Sequence, residues 1–76
     1  MNLSYHSDII YMPPKIRELA ARLKRAGYRE CGGKGSHRKF IHPVAPFLIV
    51  LSGNDGDDAL PYQEKAVRQA LKDIKS

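Results

Sequence analysis

The period of the hydrophobic positions changes along the chain and predicts two helices. Apolar residues recur at i, i+3, i+4 and i+7 from Ile16 to Leu23, which indicates an amphipathic helix. Pro13 and Pro14 are expected to open it, because proline is accommodated in the first turn of a helix, and Gly27 follows as the residue expected at its left-handed end. A second helical period begins near Pro61. The expected apolar faces are Ile16, Leu19, Ala20 and Leu23, then Tyr62, Ala66, Val67, Ala70, Leu71 and Ile74.

Three short strands are predicted between the helices, at about 28–32, 36–42 and 47–51. The glycine-rich segment 32–35 is expected to form the hairpin turn between the first two strands. The segment 47–51 is the most apolar run in the chain, so we expect it to be a buried strand. The polar stretch 52–58 is expected to be a loop, with Asp57 or Asp58 capping the last helix.

The order helix, three strands, helix predicts an α+β fold, in which both helices pack on one face of a three-stranded antiparallel sheet. Side chains alternate along a strand, so burial of Phe40 beneath the helices leaves its odd-numbered neighbours on the other face. That face is expected to carry His37, Lys39 and Ile41, whereas Arg38, Phe40 and His42 point toward the helices. A 76-residue chain builds only a small core, so the expected site is a shallow surface.

Positive charge is concentrated in the first half of the chain. The formal net charge is +5, and residues 15–42 contribute nine Lys or Arg against Glu18 and Glu30. This distribution favours a polyanionic partner such as nucleic acid, with a solvated basic face as the alternative.

The remaining composition indicates a cytoplasmic protein of one domain. Cys31 is the single cysteine, which excludes an intramolecular disulfide and fits a reducing compartment. No apolar run approaches the ~20 residues of a membrane span, so no membrane partner is expected. Residues 1–11 show no sustained period and are expected to be a loosely ordered extension before a domain at 12–76 that begins with Met12.

His37 is the candidate catalytic residue because it follows the glycine-rich turn and is surrounded by cations. Histidine exchanges a proton near neutral pH, and the surrounding groups are suited to binding a phosphodiester. The expected phosphate-binding residues are Lys34, Gly35, Ser36, Arg38 and Lys39. We expect neither a metal nor another cofactor, because His42 lies on the opposite strand face and no Cys or acidic partner stands at zinc spacing.

The segment Lys34-Gly35-Ser36-His37 follows a Leu-rich helix ending in Ala-Gly and precedes Phe40, His42-Pro43 and a closing helix. From Met12 onward the chain resembles the HicA family of bacterial toxin–antitoxin modules. The resemblance implies a double-stranded-RNA-binding-domain-like fold, cleavage of mRNA with His37 as the catalytic histidine, and neutralisation by a HicB antitoxin. Many members have a second histidine where this chain has Arg38, and a Pro-His segment where it has residues 52–55.

Two other functions remain open at this stage. A non-catalytic double-stranded-RNA-binding module has the same architecture, but it requires lysines at the start of the last helix. This chain has Asp57, Asp58 and Glu64 there, which would repel phosphates. A protein-interaction subunit with an acidic partner is the other alternative.

Overall fold

A computed structural model describes residues 11–32 and 37–75. Helix α1 (Ile16–Arg25) is followed by strands β1 (Arg29–Cys31), β2 (His37–Ile41) and β3 (Ile49–Ser52) and by helix α2 (Pro61–Lys75). The strands form one antiparallel sheet in the order β1-β2-β3. The predicted α-β-β-β-α order and the α+β class are therefore confirmed.

Both ends of α1 are fixed by backbone hydrogen bonds. The Ile16 N–H donates to the Asp57 carbonyl at 2.9 Å, so the loop before α2 satisfies an otherwise unpartnered first-turn donor. At the other end Gly27 has a φ of +102°, as the sequence predicts. The Gly27 and Tyr28 N–H groups donate back to the Lys24 and Leu23 carbonyls at 3.0 Å each. These two hydrogen bonds form a Schellman motif, which needs a residue in the left-handed conformation at the position of Gly27.

The core lies between the sheet and the two helices. Phe40 of β2 and Leu51 of β3 are fully buried against both helices. The helix side chains that bury them are Ile16, Leu19, Ala20 and Leu23 of α1 and Val67 and Ala70 of α2. Both helices thus cover the same face of the sheet, and the other face stays open to solvent.

The expectation that 47–51 is a buried strand is wrong for most of that segment. The strand begins at Ile49, and Phe47 and Leu48 are 78% and 52% exposed. Within β3, Leu51 is fully buried but Val50 is 42% exposed. A two-layer fold covers only one face of its sheet, so a continuous apolar run cannot be buried along its whole length.

The predicted cap of α2 is also wrong. Gln63, the third residue of α2, reaches back instead to the residue before the helix, and its side-chain oxygen accepts a hydrogen bond from the Leu60 N–H at 2.8 Å. Asp57 instead accepts from the Asn54 N–H at 2.8 Å, and the Asp58 carboxylate binds the Lys15 ammonium at 2.6 Å. Because the loop folds back onto the start of α1, these carboxylates serve the loop and α1.

The apolar face of α2 differs from the predicted one at three positions. Tyr62 and Ala66 are exposed, whereas Gln63 is 2% exposed. The Gln63 amide also donates to the Ser52 carbonyl at 2.9 Å, so both ends of this polar side chain are satisfied inside the fold. Burial of a polar residue at this position is therefore inexpensive.

Several predictions lie outside the described residues. These are the loose order expected of residues 1–10 and the conformation of the turn at 33–36. Gly32, at the edge of that turn, does have the expected positive φ, +58°. Tyr11 contacts α2 through a hydrogen bond from its hydroxyl to the Glu64 carboxylate.

Candidate active site

The face of the sheet away from the helices forms a solvent-exposed surface, which we call the open face. Residues directly opposite one another in an antiparallel pair share a face, so the pairs Cys31–Lys39 and His37–Ser52 both belong to it. The open face consists of Arg29, Cys31, His37, Lys39, Ile41, Val50 and Ser52.

His37 stands at the start of β2 with an exposed imidazole that is fixed at one nitrogen. Its Nδ1 lies 3.1 Å from the Ser52 hydroxyl oxygen, on the residue directly opposite in β3. Its Nε2 has no hydrogen-bond partner among the described residues. Lys39 follows two residues later on the same face, about 6.5 Å further along the strand. One ring nitrogen is thus accessible beside a cation.

Arg38 lies on the other face of β2, where it forms ion pairs. Its guanidinium binds the Glu30 carboxylate through two nitrogens, at 2.8 and 3.1 Å, and also binds the Asp55 carboxylate. The group lies 5.7 Å from the centre of the Phe40 ring, and the side chain is 20% exposed. The structure therefore does not bring Arg38 together with His37 and Lys39.

The Arg38 contact changes the acidity of its partner. Hydrogen bonding to Arg38 is the main cause that lowers the pKa of Glu30 to about 2; burial of the carboxyl opposes the shift, and Lys24, at 3.3 Å, adds to it. The same hydrogen bond raises the pKa of Arg38 above its ordinary value. Glu30 stays ionised at neutral pH and holds the Arg38 guanidinium on the helix side of β2.

His42 has a structural environment, unlike His37. The Val44 N–H donates to Nδ1 at 3.2 Å, so the ring proton is on Nε2, which lies 3.1 Å from the Ala26 carbonyl. The ring packs against Tyr28, 5.0 Å between centroids, and close to Gly27. His42 secures the end of α1 on the helix side, as the predicted strand alternation requires.

A model of the HicA toxins of bacterial toxin–antitoxin systems matches residues 16–75. The chain belongs to the HicA toxin family. The matched range includes both helices, all three strands and His37. No curated protein matches the chain at a significant level. Membership of a toxin–antitoxin family gives this protein the role of a toxin and implies an antitoxin partner.

For this HicA-family toxin, the structure places two of the predicted site residues, His37 and Lys39, on the open face. Lys34, Gly35 and Ser36 lie outside the described residues. Ser52 is the residue that the sequence analysis missed, because its place beside His37 depends on the strand register. Residues 42–48 separate β2 from β3, and a connection of that length does not fix the register from the sequence.

Two further features of the HicA-family chain concern metals and membranes. Within residues 11–32 and 37–75, no three His, Cys, Asp or Glu side chains come together as a metal ion would need. Neither described helix is long and apolar enough to cross a bilayer.

Proposed function

We propose that this HicA-family toxin is a metal-independent endoribonuclease that cleaves mRNA in the cytoplasm, with His37 as its catalytic residue. The observation that carries the proposal is the His37 imidazole, exposed on the open face with Nε2 accessible and Lys39 on the same face. Histidine is the side chain best suited to move protons near neutral pH, and family membership supports a toxic activity.

The proposed reaction is an internal phosphoryl transfer. His37 takes the proton of the RNA 2′-hydroxyl at Nε2, and the 2′-oxygen forms a bond to the adjacent phosphorus. The bond from phosphorus to the 5′-oxygen breaks, leaving a 2′,3′-cyclic phosphate on one fragment. The 5′-oxygen takes a proton from water, because His37 is the one histidine on the open face of the described sheet. The hydroxide that forms takes the proton from His37 Nε2, which restores the neutral ring.

Lys39 and the turn before β2 are the proposed phosphate-binding groups. The Lys39 ammonium on the open face offsets the negative charge that develops on the phosphoryl oxygens. Lys34, Gly35 and Ser36 immediately precede His37 in the chain and are proposed to contact the RNA backbone. The Arg38 charge is already matched by two carboxylates, so we assign Arg38 no direct contact with the phosphate.

An RNA-cleavage assay that identifies the product ends tests this proposal. We expect a 2′,3′-cyclic phosphate and a 5′-hydroxyl, no effect of EDTA, and no cleavage where the 2′-hydroxyl is missing. His37→Ala should lower cleavage by about 100-fold or more, the contribution typical of a general base. Wild-type cleavage by the His37→Ala variant would refute the assignment of His37, and RNA binding without cleavage would favour a double-stranded-RNA-binding module.

We further propose that a HicB-like antitoxin inhibits the enzyme by covering the open face. That surface combines the Lys39 charge with two exposed apolar side chains, Ile41 and Val50, which are 36% and 42% exposed. An acidic partner would associate faster through the positive charge and bury the apolar groups.

Hydrogen exchange of the toxin alone and in complex tests this second proposal. Amides of β2 and β3 should become protected in the complex while RNA cleavage stops. Protection confined to the loop at 53–58, with β2 unchanged, would contradict steric masking.

A further inference from the structure

His37 and His42 differ in the group that lies within hydrogen-bond distance of Nδ1. At His42 a backbone N–H, from Val44, donates to Nδ1 and therefore places the ring proton on Nε2. At His37 the group beside Nδ1 is the Ser52 hydroxyl, 3.1 Å away. A hydroxyl has two lone pairs and can accept, which an amide N–H cannot do. The two rings are therefore able to hold opposite tautomers.

We propose that Ser52 is a positioning residue that accepts a hydrogen bond from the Nδ1–H of His37. Nε2 of this exposed side chain is then unprotonated and able to accept a proton. This inference deepens the proposed function and rests on it for the catalytic consequence. The tautomer itself depends only on the contact between His37 and Ser52.

The backbone of Ser52 is held in place by a contact with helix α2. Its carbonyl oxygen accepts a hydrogen bond from the buried Gln63 amide at 2.9 Å, which connects the end of β3 to α2. Three residues later Asp55 binds Arg38, the neighbour of His37 in β2. The strand ends that carry His37 and Ser52 are thus held together by contacts on the helix side.

The same contact suits the protonated ring. After Nε2 accepts a proton, Nδ1–H still donates to the Ser52 oxygen, and the bond becomes charge-assisted. The hydroxyl does not have to exchange its role during the reaction, so the ring keeps its orientation as the proton arrives. Ser52 is expected to change the rate of the chemical step and leave RNA binding unaffected.

A pair of variants of matched shape isolates the hydroxyl. Ser52→Thr keeps it and Ser52→Val removes it, and both β-branched residues suit a strand. We expect Ser52→Val to lower kcat about five-fold with unchanged KM, the factor typical of one hydrogen bond, and Ser52→Thr to stay within about two-fold of wild type. Equal kcat values for the two variants would overturn the catalytic part of the inference.

Nitrogen-15 NMR of the free toxin at about pH 8.5, where imidazole is neutral, reads the tautomers without RNA. We expect the Nδ1–H form for His37 and the Nε2–H form for His42, which serves as an internal reference. Ser52→Val should remove the Nδ1–H preference of His37 and leave His42 unchanged. An Nε2–H form of His37 in the wild type would overturn the inference, whether or not the protein cleaves RNA.

Discussion

The two faces of strand β2 share one backbone but have different tasks. On the helix side Arg38 and Phe40 are held by ion pairs and by the core, and Phe40 is fully buried. On the open face His37 and Lys39 are exposed, and the His37 ring lies within hydrogen-bond distance of the Ser52 hydroxyl. Stability and the proposed chemistry are thus separated by the alternation of a strand. In a chain of 76 residues, this separation frees the open face from packing requirements.

The comparison extends to the two histidines. His42 follows Phe40 by two residues and therefore faces the helices, where both ring nitrogens have partners. Among the residues that the structure describes, one nitrogen of His37, Nδ1, has a partner. Burial and hydrogen bonding, which the residue type does not reveal, distinguish a structural histidine from a candidate catalytic one.

Truncation of Phe40, on the helix side of β2, is expected to cause the largest loss of stability. Phe40→Ala removes a fully buried ring and should lower the free energy of unfolding by about 3–5 kcal/mol, measured by urea denaturation. Ile41→Ala, one residue along on the open face, is the matched control and should cost less than about 1 kcal/mol. Equal losses would contradict the division between the faces.

The histidine comparison predicts a smaller difference in stability. His42→Ala removes the partner of the Ala26 carbonyl and of the Val44 N–H, and should lower the free energy of unfolding by about 1–3 kcal/mol. His37→Ala should change it by no more than about 0.5 kcal/mol. Thermal denaturation of both variants in one buffer measures this. A larger loss for His37→Ala would mean that its ring has a structural role.

The acidity of Glu30 predicts a pH dependence of stability. Its pKa falls from an ordinary value of 4.5 to about 2 on folding. The native state therefore binds this proton less readily than the unfolded chain. The resulting stabilisation is fully present above about pH 4.5 and is lost as the pH falls toward 2.

Glu30→Gln isolates this contribution from the other carboxyl groups. The Glu30 carboxylate is partly exposed, and solvent weakens its ion pair. We therefore expect the variant to be about 1–2 kcal/mol less stable than wild type at pH 6. The difference should approach zero near pH 2, measured by urea denaturation at each pH. A difference that is the same at both pH values would contradict the ion pair as its cause.

The smallest expected effect concerns Lys39. Lys39→Gln should weaken the binding of single-stranded RNA several-fold and reduce the slope of log K against log salt by about 0.7, the value for one phosphate contact. Lys65→Gln, on the exposed side of α2, is the control for loss of one charge. Identical salt slopes for the two variants would remove Lys39 from the RNA-binding surface.

Local patterns were sufficient for much of the fold. The stripe from Ile16 to Leu23 predicted the buried face of α1, and Gly27 predicted its left-handed end. Alternation around Phe40 predicted that His37 and Lys39 share an exposed face. The same reasoning was wrong for 47–51, because local patterns do not show which surfaces another layer covers, and for the cap of α2, because the loop before that helix folds back onto α1.

The sequence by itself determined the order of the elements and the side of β2 on which each residue lies, since both follow from periods set by backbone geometry. Tertiary structure decided which residues meet across elements. It set Ser52 beside His37, drew Arg38 to Glu30 and Asp55, and joined Gln63 at the start of α2 to the Ser52 carbonyl. These contacts join positions up to 17 residues apart, and the register and the path of the loop that create them depend on packing of the whole domain.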